Sequence, residues 1–478
     1  MTGAVRRRRV VVATADTLTE RMAGPAIRAF RIASELARDH DVRLLSIARA
    51  DLTDDRFEIL HVPQGRRLAA QVEWAEIVIF QGWVMAGQPC FDRTDRIFVV
   101  DVYDPLHLEQ LEQGREVDED GRWGHVADAT AVLNHQLARG DFFLCASPKQ
   151  RDLWMGHLAS LGRVNPATYD ADPGLDALID VVPFGISDDP PVLTRPAIKG
   201  VMPGVGPDDT VILWGGGVYN WFDPLTLIRA VQQLAARRAD VRLVFLGMRH
   251  PNPLIPEMRM AVAARALADE LGLTGTHVLF NEEWVAYDER QNFLLDADIG
   301  VSTHLHHVET DYSFRTRILD YLWASLPIVS TTGDAMAELI EHRGLGLTVP
   351  PGDVAALVEA LERLLDDRDL ARSCRDNIVG VVPELRWSRV LEPVVAFCAD
   401  PRPAPDLATG RVDLSGGHRT RVARRGGVAH DAQLVVDYLR QGGVSMLTRK
   451  MRDRVERVWG TWRGRPPSPA ASALEDED

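Results

Sequence analysis

Cysteine is scarce in this chain. The 478 residues contain four cysteines, Cys90, Cys145, Cys374 and Cys398, and they form neither a CxxC pair nor a Cys/His ligand spacing. This scatter argues against a disulfide framework and against a cysteine-based structural zinc site. Such usage fits a reducing compartment, so we expect the protein in the cytoplasm.

Long hydrophobic runs are also missing. No stretch approaches the roughly 20 apolar residues that a membrane-spanning helix needs, so we do not expect a membrane-embedded body. The basic start Met1–Arg9 resembles the first region of a signal peptide. The apolar run that follows, Val10–Ala13, is too short for a signal-peptide core and soon meets Asp16. We interpret this run as a first β-strand.

Positive charge is in deficit. The formal net charge is −15, from 54 Lys and Arg against 69 Asp and Glu. This balance disfavours general nucleic-acid binding, which needs a concentrated basic surface. Apolar residues at 46% and charged residues at 26% are typical of soluble globular proteins. At this length we expect two large domains and an appendage.

Short apolar runs alternate with helix-period segments through the first half of the chain. The predicted strands are Val10–Ala13, Val42–Ile47, Ile77–Phe80, Ile97–Asp101 and Phe142–Ala146, with a helix over about Pro25–Arg38. This alternation predicts parallel strands with crossover helices. The first doubly wound domain is therefore placed at 1–186. A Pro-, Asp- and Gly-rich linker follows at 187–207.

The same alternation restarts in the second half. Predicted strands are Thr210–Trp214, Val241–Leu246, Val278–Phe280, Ile299–Ser302 and Ile328–Ser330. Predicted helices are Pro224–Arg237, Met258–Leu271, Phe314–Ala324 and Val354–Leu365. A second Rossmann-like domain is thus placed at 208–385, with a closing helix at 386–400. Two tandem α/β domains of this kind create a ligand cleft between the carboxyl ends of their strands.

Glycine-rich loops occupy equivalent places in the two predicted domains. Gly24 precedes Pro25 where the first strand meets its helix, and Gly215, Gly216 and Gly217 end the first strand of the second domain. Such glycines let a phosphate or sugar lie against the backbone and the helix N-terminus. Neither loop is a GxGxxG fingerprint or a P-loop. Plain turns are the alternative interpretation of both. Asn220 is a further predicted ligand, and Trp221 either stacks on a ligand or belongs to the core.

The segment 304–330 predicts a polar loop that leads into a helix and then a strand. Arg315 and Arg317 are suited to neutralising a diphosphate, and Asp320 can accept hydrogen bonds from ribose hydroxyls. A simple Arg317–Asp320 helix pair is the structural alternative. The histidines at 304, 306 and 307 suggest a metal cluster, but without firm ligand spacing we predict no metal.

In the first domain, Asp101 and Asp104 follow a predicted strand and precede His107. Paired carboxyl groups beside a histidine can bind a sugar or an acceptor and take part in acid/base chemistry. Asp104 before a proline is also a common turn residue, so an ordinary turn is the alternative.

These motifs resemble those of the family 4 glycosyltransferases. That family carries Glu, seven residues and Glu before a short helix and a Gly-x-Pro-Val-Val strand entry. Counting back from Pro327, Asp320 stands at the second Glu, which holds the ribose in the family. The first Glu, beside the transferred sugar in the family, would fall at Tyr312, so its role is assigned to nearby Glu309. The family's Arg and Lys pair after the Gly-rich loop is missing, and Arg315 and Arg317 replace it.

Two further loops share in the resemblance, which extends over about Val10–Asp400. Arg249 lies in a loop similar to the one beneath the donor phosphates. Trp284 and Val285 lie in a segment similar to the one whose backbone reads the nucleotide base. Ordinary surface loops are the alternative for both.

The resemblance implies a GT-B fold and a retaining transfer without a bound metal or other cofactor. A sugar would pass from a nucleoside-diphosphate sugar to a glycan, a lipid-linked acceptor or a small molecule, as in polysaccharide biosynthesis. Two rival functions stay open. One is a nucleotide-sugar epimerase on the same architecture, and the other is a noncatalytic GT-B partner of another transferase.

The last part of the chain has a different composition. Residues 401–478 form a basic extension with an acidic end, and 438–462 predicts a helix with one apolar face among arginines and lysines. Such a helix can lie on an anionic membrane surface, at the inner face of the membrane. Packing on the body of the protein or on a partner is the equal alternative.

Overall fold

The computed structural model describes residues 6–93, 95–250, 257–412 and 414. The chain divides into two units, Met1–His418 and Arg419–Asp478. The second unit lies outside the described residues, and the predicted membrane-contacting segment 438–462 lies there with it.

The first half of the chain forms a seven-stranded parallel sheet in the order β3-β2-β1-β4-β5-β6-β7. Its strands are β1 (Arg9–Thr14), β2 (Asp41–Ser46), β3 (Glu58–His61), β4 (Ile77–Gln81), β5 (Ile97–Asp101), β6 (Phe142–Cys145) and β7 (Ile179–Val181). Every residue of β4 is buried, because helices cover both faces of a parallel sheet. We call this sheet with its helices the first lobe.

The helices of the first lobe that precede the second sheet are α1 (Gly24–Leu36), α2 (Arg66–Trp74), α3 (Leu106–Gln113), α4 (Glu119–Arg139), α5 (Pro148–Ser160) and α6 (Pro166–Ala171). Short 3-10 turns lie at Gly82–Met85, Pro89–Asp92 and Gly114–Glu116. Helix α1 starts beside Pro25, whose fixed φ suits a first helical turn. Its apolar face, which includes Ala29 and Ile32, is buried on the sheet.

The second half forms a six-stranded parallel sheet in the order β10-β9-β8-β11-β12-β13. Its strands are β8 (Thr210–Gly217), β9 (Val241–Gly247), β10 (Val278–Phe280), β11 (Ile299–Ser302), β12 (Ile328–Thr331) and β13 (Gly346–Val349). Its helices are α7 (Pro224–Ala235), α8 (Arg259–Glu270), α9 (Arg290–Leu295), α10 (Val308–Tyr312), α11 (Thr316–Trp323), α12 (Ala335–Arg343), α13 (Val354–Asp366) and α14 (Arg368–Val381). We call this half the second lobe.

Both sheets reverse strand order at the same place, between the first and fourth strands of each lobe. In the first lobe β1 pairs with both β2 and β4, and in the second lobe β8 pairs with both β9 and β11. Ligands of doubly wound sheets bind at the carboxyl ends of the strands beside such a reversal. The two reversals face the space between the lobes, so the predicted architecture of two doubly wound domains is confirmed.

The segment after the second sheet returns to the first lobe. A 3-10 turn at Val382–Leu385 leads into α15 (Trp387–Val390) and α16 (Glu392–Ala399), and both helices contact α1. Phe397 stacks on Phe142 of β6 at 4.5 Å between ring centroids. The predicted closing helix therefore packs on the first lobe rather than on the second. The domain boundaries themselves stay a prediction.

The chain continues along the first lobe after α16, up to a last short turn at Leu407–Thr409. Arg163 and Asp406 form a fully buried ion pair there, with 2.7 Å between Nε and Oδ2. Among the described residues, no helix is both long and apolar enough to cross a membrane.

Candidate functional site

A cavity of about 460 Å³ lies between the lobes, at the carboxyl ends of both sheets. Most of the predicted site residues line it: Gly24, Asp104, Gly215, Gly216, Gly217, Trp284, Val285, Glu309, Arg315, Arg317 and Asp320. Three predicted site residues do not: Asp101, Asn220 and Arg249.

The Gly-rich end of β8 is shaped by the aromatic side chains around it. The Gly215 N–H donates to the buried Tyr321 hydroxyl at 2.8 Å, and Gly216 has a φ of +79°, which favours glycine. A Cβ on Gly217 would lie 3.1 Å from the Trp284 ring and 3.0 Å from Tyr219. The backbone therefore approaches its neighbours more closely than a side chain would allow.

Arg317 is anchored to this loop. Its Nη2 donates to the Gly217 carbonyl at 2.6 Å, and its guanidinium lies over the rings of Trp214 and Phe222 at 4.2 and 4.0 Å. Arg317 is only 7% exposed, and its buried Nη1 has no hydrogen-bond partner among the described residues. Burial lowers the pKa of Arg317 to about 10, which leaves it charged at neutral pH. A buried cation with a free donor is suited to an anionic group.

Arg315 is placed differently, because two carboxylates already balance its charge. Nη1 and Nη2 lie 3.2 and 2.9 Å from the two carboxylate oxygens of Glu309, and Nε lies 3.6 Å from Asp334. All three side chains are buried. Glu309 therefore lines the cavity as the partner of Arg315, and the role predicted for it beside the transferred sugar stays a prediction.

Asp320 does not pair with Arg317 but with Arg290, whose Nε lies 3.0 Å from Oδ1. The Arg290 guanidinium also lies over the rings of Tyr287 and Trp323, at 3.7 and 4.5 Å. The Asp320 side chain remains 37% exposed, so it keeps room for further hydrogen bonds from a ligand. Sequence reasoning missed Arg290, which begins α9 outside any motif.

Trp284 connects the second lobe to the first. Its Nε1 donates to the Met22 carbonyl at 3.2 Å, and its ring would be 3.0 Å from a Cβ on Gly247. Three residues further on, the Tyr287 N–H donates to the Glu20 carbonyl at 3.0 Å. The segment predicted to read the base is thus held against the loop that carries Gly24.

On the first-lobe side, Asp104 shares a side-chain hydrogen bond with Glu109 of α3, and Glu309 faces the pair from the second lobe. Such a bond requires a proton on one of the two carboxyl groups. Burial is the main cause that raises the pKa of Asp104 to about 7, and burial together with Asp104 raises the pKa of Glu109 well above its usual range. Sequence reasoning missed Glu109, although it follows Asp104 by five residues at the start of a helix.

Asp101 lies behind this wall rather than in the cavity. It accepts from Arg28 Nε at 2.6 Å and from Nη2 at 2.9 Å, and both side chains are inaccessible to solvent. Arg28 also donates to the carbonyls of Val182 and Pro183. The predicted catalytic place of Asp101 is therefore corrected to an interior ion pair, because the Asp101 side chain points into the lobe towards α1.

Two more residues of the first-lobe wall were missed. Asp16, in the loop after β1, is buried, and burial raises the pKa of its carboxyl to about 6. Gln81, at the end of β4, donates through Nε2 to the Thr14 hydroxyl at 3.0 Å and to the Pro25 carbonyl at 2.6 Å. Its Oε1 has no partner among the described residues. Neither residue belongs to a motif, and only the meeting of the strand ends reveals them.

Asn220 and Arg249 have other surroundings. The Asn220 side chain accepts from the Met260 N–H at 3.2 Å and so caps the start of α8. The Arg249 side chain is 68% exposed and lies 3.6 Å from Glu282. Trp221 lines the cavity and is also packed, since it stacks on Tyr219 with 5.0 Å between ring centroids.

The histidines near the second-lobe strand end lie in different surroundings. Burial, with Arg315 as the next cause, lowers the pKa of His304 to about 2, so the ring is neutral. His307 caps α10 by accepting from the Thr310 N–H. Within the part of the chain that the structure describes, no group of three or more His, Cys, Asp or Glu side chains is arranged to hold a metal ion.

Residues 209–367, which cover β8 to α13, match the family described as glycosyl transferases group 1. The α-D-kanosaminyltransferase of Streptomyces kanamyceticus is 23% identical over 181 residues, which are 38% of this chain and 42% of that enzyme. An exopolysaccharide phosphotransferase of Streptomyces coelicolor is 27% identical over 161 residues, 32% of this chain and 15% of that protein. The matched segments thus span less than half of these curated relatives.

Solved structures match over much more of the chain. WaaG, a glycosyltransferase involved in lipopolysaccharide biosynthesis, superposes with a TM-score of 0.59 at 18% identity, covering 82% of this chain and 100% of WaaG. HepE of Anabaena, solved in complex with UDP and glucose, gives a TM-score of 0.57 at 12% identity, with coverage of 82% and 100%. The chain therefore has the two-lobed GT-B fold of these glycosyltransferases.

Proposed function

We propose that this chain is a retaining glycosyltransferase of the family 4 type, which transfers a sugar from a nucleoside-diphosphate sugar to an acceptor hydroxyl. One observation carries the proposal. The buried guanidinium of Arg317, a lining residue of the cavity, is fixed to the Gly217 carbonyl at 2.6 Å, and its buried Nη1 has no partner among the described residues. A diphosphate is the ligand that such a cation and a Gly-rich strand end accommodate together.

The match of residues 209–367 to glycosyl transferases group 1 supports the same assignment, since it covers the lobe that carries Arg317 and Asp320. HepE, which has the same fold, was solved with UDP and with UDP-glucose. Uridine diphosphate is therefore the first nucleotide to test, and guanosine and adenosine diphosphates come next.

The transfer itself needs charge stabilisation rather than an enzymic nucleophile. The bond between the sugar carbon and the diphosphate oxygen breaks, and Arg317 stabilises the negative charge that develops on the departing diphosphate. The acceptor oxygen attacks the oxocarbenium-like carbon from the same face, and its proton passes to the departing phosphate oxygen. Asp320 would hold the ribose. We propose that this chemistry runs without a resident metal or cofactor, which activity after EDTA treatment would test.

Titration calorimetry with the three nucleoside diphosphates tests the donor site directly. We expect one of them to bind with a micromolar dissociation constant. Incubation with the corresponding nucleotide sugar and a mixture of acceptors should then release nucleoside diphosphate and glycoside in equal amounts. Absence of binding for all three nucleotides would refute the proposal.

An epimerase is a second candidate, because Asp104 and Glu109 provide a carboxyl pair that shares a proton beside the cavity. An epimerase needs such an acid/base pair around the sugar. Product analysis separates the two functions: an epimerase changes the sugar or frees nucleotide without forming a glycoside.

Membrane contact through 438–462 stays a prediction, since that segment lies outside the described residues. Flotation with anionic liposomes, comparing the full chain with a variant that ends at Ala399, would test it.

A further inference from the structure

The first-lobe wall of the cavity carries acid groups without basic ones. Three carboxyl groups, those of Asp16, Asp104 and Glu109, line the cavity from this lobe. No lysine, arginine or histidine of the described first-lobe residues lines it. The basic lining residues, such as Arg317 and Arg290, all come from the second lobe. The donor side and the opposite side of the cavity therefore differ in charge.

In the described part of the chain these carboxyl groups have no basic side chain in direct contact: Asp104 and Glu109 share a proton with each other, and Arg315 acts on Glu109 only from a distance. In the described part of the chain, no lysine or arginine nitrogen lies within 4.0 Å of Asp16, Asp104 or Glu109, whereas Glu309 holds Arg315 and Asp320 holds Arg290. Leaving a partly buried carboxylate uncompensated is unfavourable, and bringing an opposite charge to it is favourable. The first-lobe wall is therefore suited to binding a positively charged group.

Gln81 is an independent observation on the same wall. It lines the cavity, is 4% exposed and leaves its Oε1 without a partner among the described residues. Its Nε2 is occupied by Thr14 and Pro25, so the buried oxygen is the polar atom that has no partner among the described residues. An amide oxygen accepts hydrogen bonds and cannot donate them. Like the carboxylates, it selects a ligand rich in N–H and O–H donors.

We propose that the acceptor is a small polyhydroxylated amine, an amino sugar or aminocyclitol, whose ammonium group lies against Asp16, Asp104 and Glu109. This inference rests on the proposed transferase function and names the acceptor class for it. A phosphorylated acceptor end would meet like charge on this wall and is disfavoured.

Three matched probes test the charge preference: glucosamine, glucose and glucose 6-phosphate. Each is titrated into the full chain at pH 7.0, with and without a saturating nucleoside diphosphate, and binding is followed by saturation-transfer NMR and calorimetry. We expect glucosamine to bind about tenfold more tightly than glucose, as one desolvated charge pair allows, and glucose 6-phosphate to bind most weakly. Equal affinity for glucosamine and glucose, or tightest binding of the phosphate, would overturn the inference.

Variants locate the effect on the wall. Asp16→Asn and Glu109→Gln are each expected to reduce the glucosamine preference to about threefold or less, with nucleotide affinity changed by less than about twofold. The control is Asp152→Asn, which removes an exposed carboxylate of α5 in the same lobe and should keep the full preference. A preference that survives in both wall variants would contradict the placement.

The two hypotheses fail in distinguishable ways. If no nucleoside diphosphate binds, the proposed function fails, whatever the sugar probes show. If a nucleotide binds but the amine preference is absent, the acceptor inference fails and the donor site stands.

Discussion

The two walls of the cavity differ in how the charges of their acidic residues are balanced. In the second lobe each acidic lining residue has an arginine beside it, as Glu309 has Arg315 and Asp320 has Arg290, and Arg317 remains as a cation in excess. In the first lobe, no lysine or arginine nitrogen of the described residues lies within 4.0 Å of Asp16, Asp104 or Glu109, and Arg315 reaches Glu109 only at longer range. Both walls are built from the ends of parallel strands in the same topology. The fold therefore provides the cleft, and the charges on each wall decide which ligand group it suits.

The largest effect is expected inside the first lobe, where one carboxylate is paired with an arginine and lies close to the carboxyl groups that are not. Asp101→Leu would leave the Arg28 guanidinium charged and fully buried without its partner. We expect a loss of about 3 to 5 kcal/mol in the free energy of unfolding. Urea denaturation followed by circular dichroism measures it. A loss below about 1 kcal/mol would show that the pair is not the interior anchor inferred here.

The second-lobe excess charge is tested by Arg317→Gln. The neutral amide removes the charge, so we expect nucleoside diphosphate affinity to fall by about 2 to 4 kcal/mol, a factor of about 30 to 1,000. Calorimetry gives the affinity. Arg372→Gln, an exposed arginine of α14, is the matched control and should bind as wild type. Wild-type affinity in the Arg317 variant would remove this residue from the donor site.

Removing a buried carboxylate that has no counter-ion should change the free energy of unfolding in the opposite direction from the Asp101 substitution. Burial raises the pKa of Asp16 to about 6, so the folded protein holds this proton more tightly than the unfolded chain. The resulting stability is present below about pH 4 and is lost as the pH rises through 6. Asp16→Asn should therefore be more stable than wild type by about 2 to 3 kcal/mol at pH 7.5, with almost no difference at pH 4.0.

Urea titrations of both proteins at these two pH values provide the measurement. A variant that is less stable than wild type at pH 7.5 would mean that Asp16 has a counter-charge, and the contrast between the walls would no longer hold.

The smallest expected effect concerns backbone shape. Gly217→Ala places a methyl group 3.0 Å from Tyr219 and 3.1 Å from Trp284, so the strand end must shift slightly. We expect nucleotide affinity to fall by about 1 kcal/mol, because the backbone groups that face the diphosphate move with it. Gly156→Ala in α5 is the control, since an added Cβ there meets nothing within 4 Å. Unchanged affinity in the Gly217 variant would show that close approach is not required.

Most strands were predictable from the sequence, and the missed ones share a physical reason. Central strands such as β1 and β4 are buried on both faces and therefore read as unbroken apolar runs. The strands that sequence reasoning missed, β3, β7 and β13, all lie at sheet edges and are only partly buried. Their side chains carry no continuous apolar pattern, so only pairing with a neighbour defines them.

The site residues also divide into those that local sequence predicts and those that only tertiary packing defines. The Gly-rich strand end with Arg317 and Asp320 could be predicted, because a strand, a loop and a helix that follow one another in the chain must meet locally. The sequence by itself thus determined the two doubly wound lobes and most of the second-lobe residues that line the cavity. Only the tertiary structure decided that Asp101 pairs with Arg28, and that Asp16, Gln81 and Glu109 share a wall. Those contacts join residues far apart in the chain, and only the packing of separate elements sets the distances between them.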